Sequence, residues 1–254
     1  MQATTIDQRT GRAHPHCRKP LSFPLTWLVL AILCMPQAYA QSSTGHLRPV
    51  FENEHVRVQE LFASPGATSA MRAQPPGVRV SLGKARFETT SPDGTVSIVD
   101  YNPGQVAWVG QTEERSWKLL AGDAHIFFVE VKSAADGRTL APVPMEPTHA
   151  AIVEPEQHLL VLDNEHVRVL DGFGDAGIRS APHTHPPSVL VSLAKARFRV
   201  TINGKTRIFD FEPATVRWTN HFEHTWEALA GQARVIMIDI KSAHDDPAFR
   251  RRLP

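Results

Sequence analysis

Apolar and polar side chains alternate along much of this chain, as they do in a β-strand that buries one face. In VLVSLAKARFRVT (residues 189–201), small or apolar side chains occupy one parity, and Lys195, Arg197 and Arg199 occupy the other. No stretch shows a sustained helical period. Turn-forming pairs separate short segments of this kind: Asp93-Gly94, Pro103-Gly104 and Asn203-Gly204. The pattern predicts an all-β protein made of many short strands.

The strand pattern occurs twice. VFENEHVRV (50–58) recurs as VLDNEHVRV (161–169), and AMRAQPPGVRVSLGKARF (70–87) recurs as APHTHPPSVLVSLAKARF (181–198). Each copy closes on an apolar strand that ends in a lysine. Many short strands without helices favour a sandwich or barrel, and a small jelly roll fits each copy best.

The repeat defines a division of the chain. We expect the first copy at 45–133 and the second at 159–242. The proline-rich segment 134–158 between them is interpreted as an extended linker or crossover, part of which could pair with a sheet edge. The basic tail, 243–254, is expected to be a solvated terminus.

The first forty residues have the layout of a secretory signal peptide. Basic residues precede the apolar run LTWLVLAILCM (25–35), and Ala38-Tyr39-Ala40 offers a cleavage site. The rival interpretation is a retained anchor. However, this run would form only about 16 Å of helix against a hydrocarbon core of about 30 Å. We therefore predict that residues 1–40 are removed, leaving a periplasmic or secreted protein with no membrane span.

The charge balance and the cysteine content limit which partners and which metal ligands are expected. Lysine and arginine number 27 against 26 acidic residues, a formal net charge of +1, so nucleic acid is not expected as the main partner. Both cysteines, Cys17 and Cys34, lie in the predicted signal peptide. Any metal in the mature chain must then be held by nitrogen and oxygen ligands.

Histidines in the second copy have the spacing of a metal site. His183 and His185 are two residues apart on a predicted strand, so both imidazoles project to one face. His224 follows 39 residues later and can complete a set of three from a neighbouring strand. His221 is either a fourth ligand or a loop histidine. Three imidazoles suit iron, manganese, nickel, copper and zinc alike.

These residues resemble the motifs of the cupin superfamily. Gly177, His183 and His185 match its first motif, and Pro213 and His224 match its second in looser form. The repeated framework is similar to small bacterial cupins of the RmlC-like type. The resemblance implies a bicupin, with two tandem double-stranded β-helix domains, one divalent transition metal and a small-molecule substrate.

The second copy departs from the cupin motifs at one ligand. The motif glutamate falls at Val189 or Leu190, and neither side chain can bind a metal. The expected site therefore has three histidines and no carboxylate. Glu227 and Glu223, close in sequence to His224, are the candidate general bases.

The first copy has lost the imidazoles. Arg72 and Gln74 stand where the second copy has His183 and His185, and Arg115 lies near the position of His224. Guanidinium groups repel a divalent cation, so we expect no metal here. The first copy is either a scaffold or an anion pocket in which an arginine fork binds a carboxylate or phosphate.

Two functions from different classes follow. The leading hypothesis is an exported metal-dependent enzyme, a dioxygenase-like oxidoreductase, a lyase or an isomerase, acting on a small organic molecule. The alternative is a non-catalytic extracytoplasmic binding module whose metal is structural or sensing, or which holds none. A monomer or a homodimer is expected, since the duplication could replace the dimer that single cupins often form.

Overall fold

The computed structural model describes residues 45–220 and 222–244. The predicted signal peptide and nearly all of the predicted tail lie outside these residues. No helix in the described part of the chain is long and apolar enough to cross a membrane.

The first copy forms a barrel of two antiparallel sheets. The strands are β1 (His46–Glu52), β2 (Val56–Ala63), β3 (Arg72–Gln74), β4 (Gly77–Ser81), β5 (Ala85–Thr90), β6 (Val96–Tyr101), β7 (Val106–Val109), β8 (Thr112–Gly122) and β9 (Ala124–Val131). One sheet, called the interface sheet, has the order β1-β2-β9-β4-β7, and the other, called the outer sheet, has the order β3-β8-β5-β6. A short helix, α1 (Lys132–Ala135), follows the last strand.

The second copy repeats this topology. Its interface sheet has the order β10-β11-β17-β13-β16, and its outer sheet pairs β12 and β14 with the beginning of β17, and β14 with β15. The strands are β10 (His158–Asp163), β11 (Val167–Asp175), β12 (His183–His185), β13 (Ser188–Ser192), β14 (Ala196–Ile202), β15 (Lys205–Phe211), β16 (Val216–Thr219) and β17 (Phe222–Ile240), followed by a 3-10 turn, Lys241–Ala243.

A glycine lets the chain pass from the outer sheet to the interface sheet in each copy. Gly122 has φ +75° and Gly231 has φ +82°. A Cβ atom there would lie 2.0 Å from the carbonyl oxygen of Lys84 and 2.3 Å from that of Lys195, respectively. Only glycine satisfies both the left-handed backbone and the close approach.

The two interface sheets pack against each other and share one apolar core. Strand alternation directs Val78 and Val80 of the first copy into it, together with Val189, Val191 and Ile238 of the second. Every one of these five side chains is fully buried. Burying a valine or isoleucine contributes about 1.5–3 kcal/mol, so this shared core is a major source of stability.

The repeated NEHVRV motif stabilises this interface in a reciprocal way. His55 stacks on Trp218 with ring centroids 5.9 Å apart, and His166 stacks on Trp108 at 5.8 Å. Asn53 holds the turn before its strand by accepting from the backbone N–H groups of His55 and Val56, and Asn164 does the same in the second copy. These contacts explain why both copies keep the motif.

The segment between the copies is not extended throughout. Helix α2 (Ala150–Val153) begins after His149 and packs through Ala150 against Leu170 and Met237 of the second barrel. β10 then starts at His158, the last residue of the predicted linker. This segment therefore contributes side chains to the interior of the second barrel.

Candidate metal centre

The three histidines expected from the sequence lie together inside the second barrel. β12 pairs antiparallel with the start of β17, which places His183 directly opposite His224. The ring centroid of His183 lies 4.5 Å from that of His224 and 5.0 Å from that of His185. His183 and His185 are buried.

A fourth histidine, which the sequence interpretation did not include, completes the cluster. His158 lies at the start of β10, with its ring 4.9 Å from that of His183 and 5.4 Å from that of His185. One ligand atom each of His158, His183 and His185 lies within 4.8 Å of the others. Nitrogen ligands of one ion lie about 3–4 Å apart, so small side-chain adjustments bring these three into range.

A carboxylate also reaches the cluster, from an unexpected direction. Glu154 follows helix α2, and its Oε2 atom lies 3.2 Å from Nδ1 of His183 and 3.8 Å from Nδ1 of His158. Its Oε1 atom accepts a hydrogen bond from the backbone N–H of Ala181 at 2.5 Å. The predicted carboxylate-free site therefore has an acidic neighbour supplied by the segment between the copies.

The orientation of His183 is set by its hydrogen bond to the backbone. Its Nδ1–H donates to the carbonyl oxygen of Ala181 at 2.9 Å. Nε2 then carries the lone pair and points into the cluster. Metal-binding histidines are commonly oriented by such a bond from the other ring nitrogen.

Several polar atoms of the cluster are buried without a hydrogen bond within the described part of the chain. They are Nδ1 of His158, Nε2 of His183, Nδ1 of His185 and Oε2 of Glu154. A buried polar atom without a partner costs about 1–3 kcal/mol. Four such atoms on the side chains of one cluster fit a divalent ion bound among them.

Burial keeps the imidazoles neutral. It lowers the pKa of His158 and of His224 to about 3, and it lowers the pKa of His183 and His185 as well. Repulsion between neighbouring imidazoles adds to the effect, for example from His183 on His158. Neutral imidazole is the form that binds metals.

A buried hydrogen-bond chain fixes the segment that carries Glu154. His149 Nε2 donates to Asp239 Oδ2 at 3.0 Å, and Ser188 Oγ lies 2.7 Å from the other oxygen of that carboxylate. Nδ1 of His149 accepts from the backbone N–H of Ala151, which caps helix α2. The helix is thereby attached to strands β13 and β17.

A small cavity of about 110 Å³ adjoins the imidazoles. His158, His185 and His224 lie at its polar end, and the rest is largely apolar, with Leu190, Phe198, Phe211 and Trp226 among the lining residues. Of the two residues at which the motif glutamate could fall, Leu190 faces the cavity and Val189 packs in the shared core. Drug-sized pockets start at about 300 Å³, so only a small molecule fits.

The candidate general bases do not reach this cavity. On β17, His224 and Trp226 face inward, whereas Glu223 and Glu227 have the opposite parity. Glu227 accepts from Arg179 at 3.0 Å and also pairs with Arg199, and these bonds lower its pKa. Glu223 is exposed. This placement does not support a catalytic role for either residue, because both lie on the outer face of the sheet.

The remaining sequence candidates are separated from the cluster. His221 lies outside the described residues. Arg72 and Arg115 are opposite each other on β3 and β8 and are exposed, and Gln74 is half-buried. Arg72 and Gln74 line a cavity in the first barrel, of which Arg115 is not a lining residue.

Comparison with known proteins identifies the fold. No family model and no curated protein match the chain. A structure of an arginine-to-alanine variant of Bacillus subtilis oxalate decarboxylase is similar, with a TM-score of 0.53 and 15% identity over 80% of this chain and 74% of that one. A deletion variant of the same enzyme gives 0.53 and 16%, with the same coverage. A structure that concerns its Mn(II) centres gives 0.52 and 15%, again over 80% and 74%.

This likeness confirms the predicted all-β fold. The histidine cluster adds a group that can hold a metal ion.

Proposed function

We propose that the second barrel binds one divalent transition metal and acts as a metal-dependent enzyme on a small organic molecule. The observation that carries the proposal is that ligand atoms of His158, His183 and His185 lie within 4.8 Å of one another. Each of these imidazoles also has a buried ring nitrogen without a hydrogen bond among the described residues. His224 lies beside them, 4.5 Å from His183 between ring centroids. When bound, the ion would supply Lewis acidity at an oxygen atom of the substrate.

The chain's own residues would select and position the substrate. Phe198, Phe211 and Trp226 give the cavity apolar walls and restrict it to a small, mainly apolar body. The backbone carbonyl of Ala181 and the carboxylate of Glu154 would hold the His183 ring in place. The similar Bacillus enzyme is a decarboxylase with Mn(II) centres, which supports a lyase or oxidoreductase acting on a small organic acid.

Metal analysis tests the site directly. The full chain, purified without chelator and reconstituted separately with iron, manganese, nickel, copper and zinc, is expected to retain about one ion per chain for at least one metal. His183→Ala and His185→Ala are expected to lose it, whereas the exposed control His46→Ala retains it. Failure of the wild type to retain any metal would refute the proposal.

The ligand set is tested by a second pair of variants. The structure favours His158, His183 and His185 as ligands, whereas the sequence predicts His183, His185 and His224. The variants His158→Ala and His224→Ala distinguish these two sets. Loss of metal in His158→Ala supports His158 as a ligand. Loss in His224→Ala alone would restore the set His183, His185 and His224.

One observation favours the non-catalytic alternative. Among the described residues that line the cavity, the imidazoles are the only side chains able to transfer a proton. A structural or sensing metal needs no such group. The electron paramagnetic resonance spectrum of the manganese-loaded protein distinguishes the two functions: a change on adding azide shows an open coordination position, as an enzyme needs, and an unchanged spectrum favours a closed site.

We also propose that the protein is exported by cleavage after Ala40. The support is the sequence layout of residues 1–40. Mass spectrometry of the protein recovered from the periplasm or medium should give Gln41 as the first residue. Recovery of the uncleaved chain in the membrane fraction would favour the retained anchor instead.

A further inference from the structure

The first barrel contains a cavity of its own, about 170 Å³ in volume. It lies in the same part of the jelly roll as the cavity of the second barrel, but no histidine lines it. Its walls are mainly apolar and aromatic: Leu47, Leu61, Phe87, Trp117, Ile126 and Phe128. Phe87 meets Trp117 edge to face, with ring centroids 5.3 Å apart, which gives the cavity a rigid aromatic wall.

A guanidinium group projects into this apolar space. Arg79 is the central residue of β4, where Val78 and Val80 turn toward the shared core and Arg79 therefore turns inward. In the aligned repeats, Arg79 occupies the position of Leu190. The first barrel thus has a fixed positive charge at a position where the second barrel has an apolar side chain.

Neutral neighbours hold this guanidinium in place. Nη1 of Arg79 donates to the hydroxyl of Tyr101 at 2.6 Å, and Nη2 donates to Oε1 of Gln74. Tyr101 is buried, so the position of the phenol is well defined. A guanidinium has five N–H donors, and these two bonds leave others for a ligand.

No counter-ion compensates this charge within the described residues. Their ion pairs do not include Arg79, and no aspartate or glutamate lines the cavity. A charge in an apolar environment is costly unless it is paired, and an arginine fork matches a carboxylate. Arg72, which also lines the cavity, adds a second positive charge.

We propose that the first barrel binds a small monocarboxylate, with the carboxylate on Arg79 and an apolar or aromatic body against Phe87 and Trp117. The anion pocket considered from the sequence is thereby centred on Arg79, and Arg115 is not part of it. This site is independent of the metal proposed for the second barrel. The volume and apolar walls favour a carboxylate with a hydrocarbon body over inorganic phosphate.

Isothermal titration of the metal-free full chain tests the proposal, because removing metal prevents the probe from binding to an ion in the second barrel. The probes are benzoate and hexanoate, with benzamide as the neutral isostere and inorganic phosphate as the compact anion. We expect at least one carboxylate to bind with a Kd below about 1 mM. Benzamide and phosphate should each bind at least about tenfold more weakly.

Three variants locate the site. Arg79→Leu, which copies Leu190, should abolish binding, and Arg79→Lys should weaken it, because the lysine retains charge but loses the fork. Arg86→Leu, at an exposed arginine on the next strand, should bind as the wild type does. Circular dichroism and thermal unfolding of each variant establish that it is folded.

The proposal fails if neither carboxylate binds, if benzamide or phosphate binds as tightly as the carboxylates, or if folded Arg79→Leu retains wild-type affinity. If Arg79→Leu does not fold, benzoate binding to the wild type is mapped instead by transferred nuclear Overhauser effects from aromatic protons. Contacts to the Phe87 and Trp117 rings support the site, and contacts elsewhere overturn it.

Discussion

Single residues decide how tightly the histidine cluster can hold an ion. His183 is oriented by the hydrogen bond from its Nδ1–H to the carbonyl oxygen of Ala181, 2.9 Å away, and Oε2 of Glu154 lies 3.2 Å from the same nitrogen. A carboxylate that contacts a ligating imidazole increases its basicity and restricts its rotation. Glu154 therefore contributes to the site from the segment between the barrels.

The substitution Glu154→Gln should weaken metal binding while leaving the fold intact. Glutamine keeps the volume of the side chain and the acceptor for the Ala181 N–H group, but it removes the negative charge beside His183. We expect the metal Kd to rise by about 10–100-fold, measured by competition with a chromophoric chelator. Glu227→Gln, which changes a carboxylate on the outer face, is the control and should bind metal as the wild type does. An unchanged Kd in Glu154→Gln would show that this carboxylate does not act on the cluster.

The residues of the cluster differ in how far the sequence could predict them. His183 and His185 follow from strand parity, which is a local pattern, and His224 follows from its place in the second motif that the sequence resembles. His158 and Glu154 have no such pattern. They belong to a segment whose place beside β12 depends on contacts distant in sequence, such as the hydrogen bond from Thr184 N–H to Thr148 O. The repeat offers one sign of a role for His158: its aligned residue in the first copy is Leu47, so this histidine, like His183 and His185, is present in the second copy alone.

At the scale of elements, the strands were predictable and helix α2 was not. Alternation predicts β14 most directly, since buried Ala196 and Phe198 alternate with exposed Arg197 and Arg199. β13 is instead buried on both faces, and only its central residue Leu190 is half-buried. Helix α2 has only four residues and lies among prolines, so it shows no helical period. It is stabilised by burial of Ala150 and by the bonds that His149 makes to Ala151 and Asp239.

Removing the His149 imidazole should therefore destabilise both the helix and the metal site. In His149→Ala, the buried Asp239 carboxylate keeps Ser188 but loses the donor from His149. We expect the free energy of unfolding of the metal-free protein to fall by about 2–4 kcal/mol, measured by urea denaturation. His244→Ala, at a more exposed histidine of the same region, should change it by less than about 0.5 kcal/mol. If His149→Ala lowers the free energy of unfolding by no more than His244→Ala does, the hydrogen-bond chain through Asp239 is not needed to hold α2.

At the scale of the whole molecule, the two barrels have one core between them. Fully buried valines and isoleucines of both interface sheets form a single cluster, and the histidine–tryptophan stacks join the barrels at two further points. A Cβ atom added at Gly104 of the first copy would collide with the guanidinium of Arg234 in the second, a side chain held by Asp171. A barrel unfolded alone would expose the apolar face of its neighbour. The sequence predicts the repeat but not this interface, because the same alternation is compatible with two separate sandwiches.

A shared core predicts that the barrels unfold together and that metal in the second stabilises the first. Binding to the native state alone stabilises it by about 2.7 kcal/mol when the free metal is about 100 times Kd. For a domain pair of this size we expect one transition in scanning calorimetry, raised by about 5–10 °C when the metal is added. Amide hydrogen exchange in β5, followed by mass spectrometry, reports on the first barrel without any substitution and should slow when the metal is added. His183→Ala should remove both this protection and the shift of the transition. Two transitions, of which only one responds to metal, would show that the barrels are energetically independent and that the contacts between the interface sheets contribute little to folding.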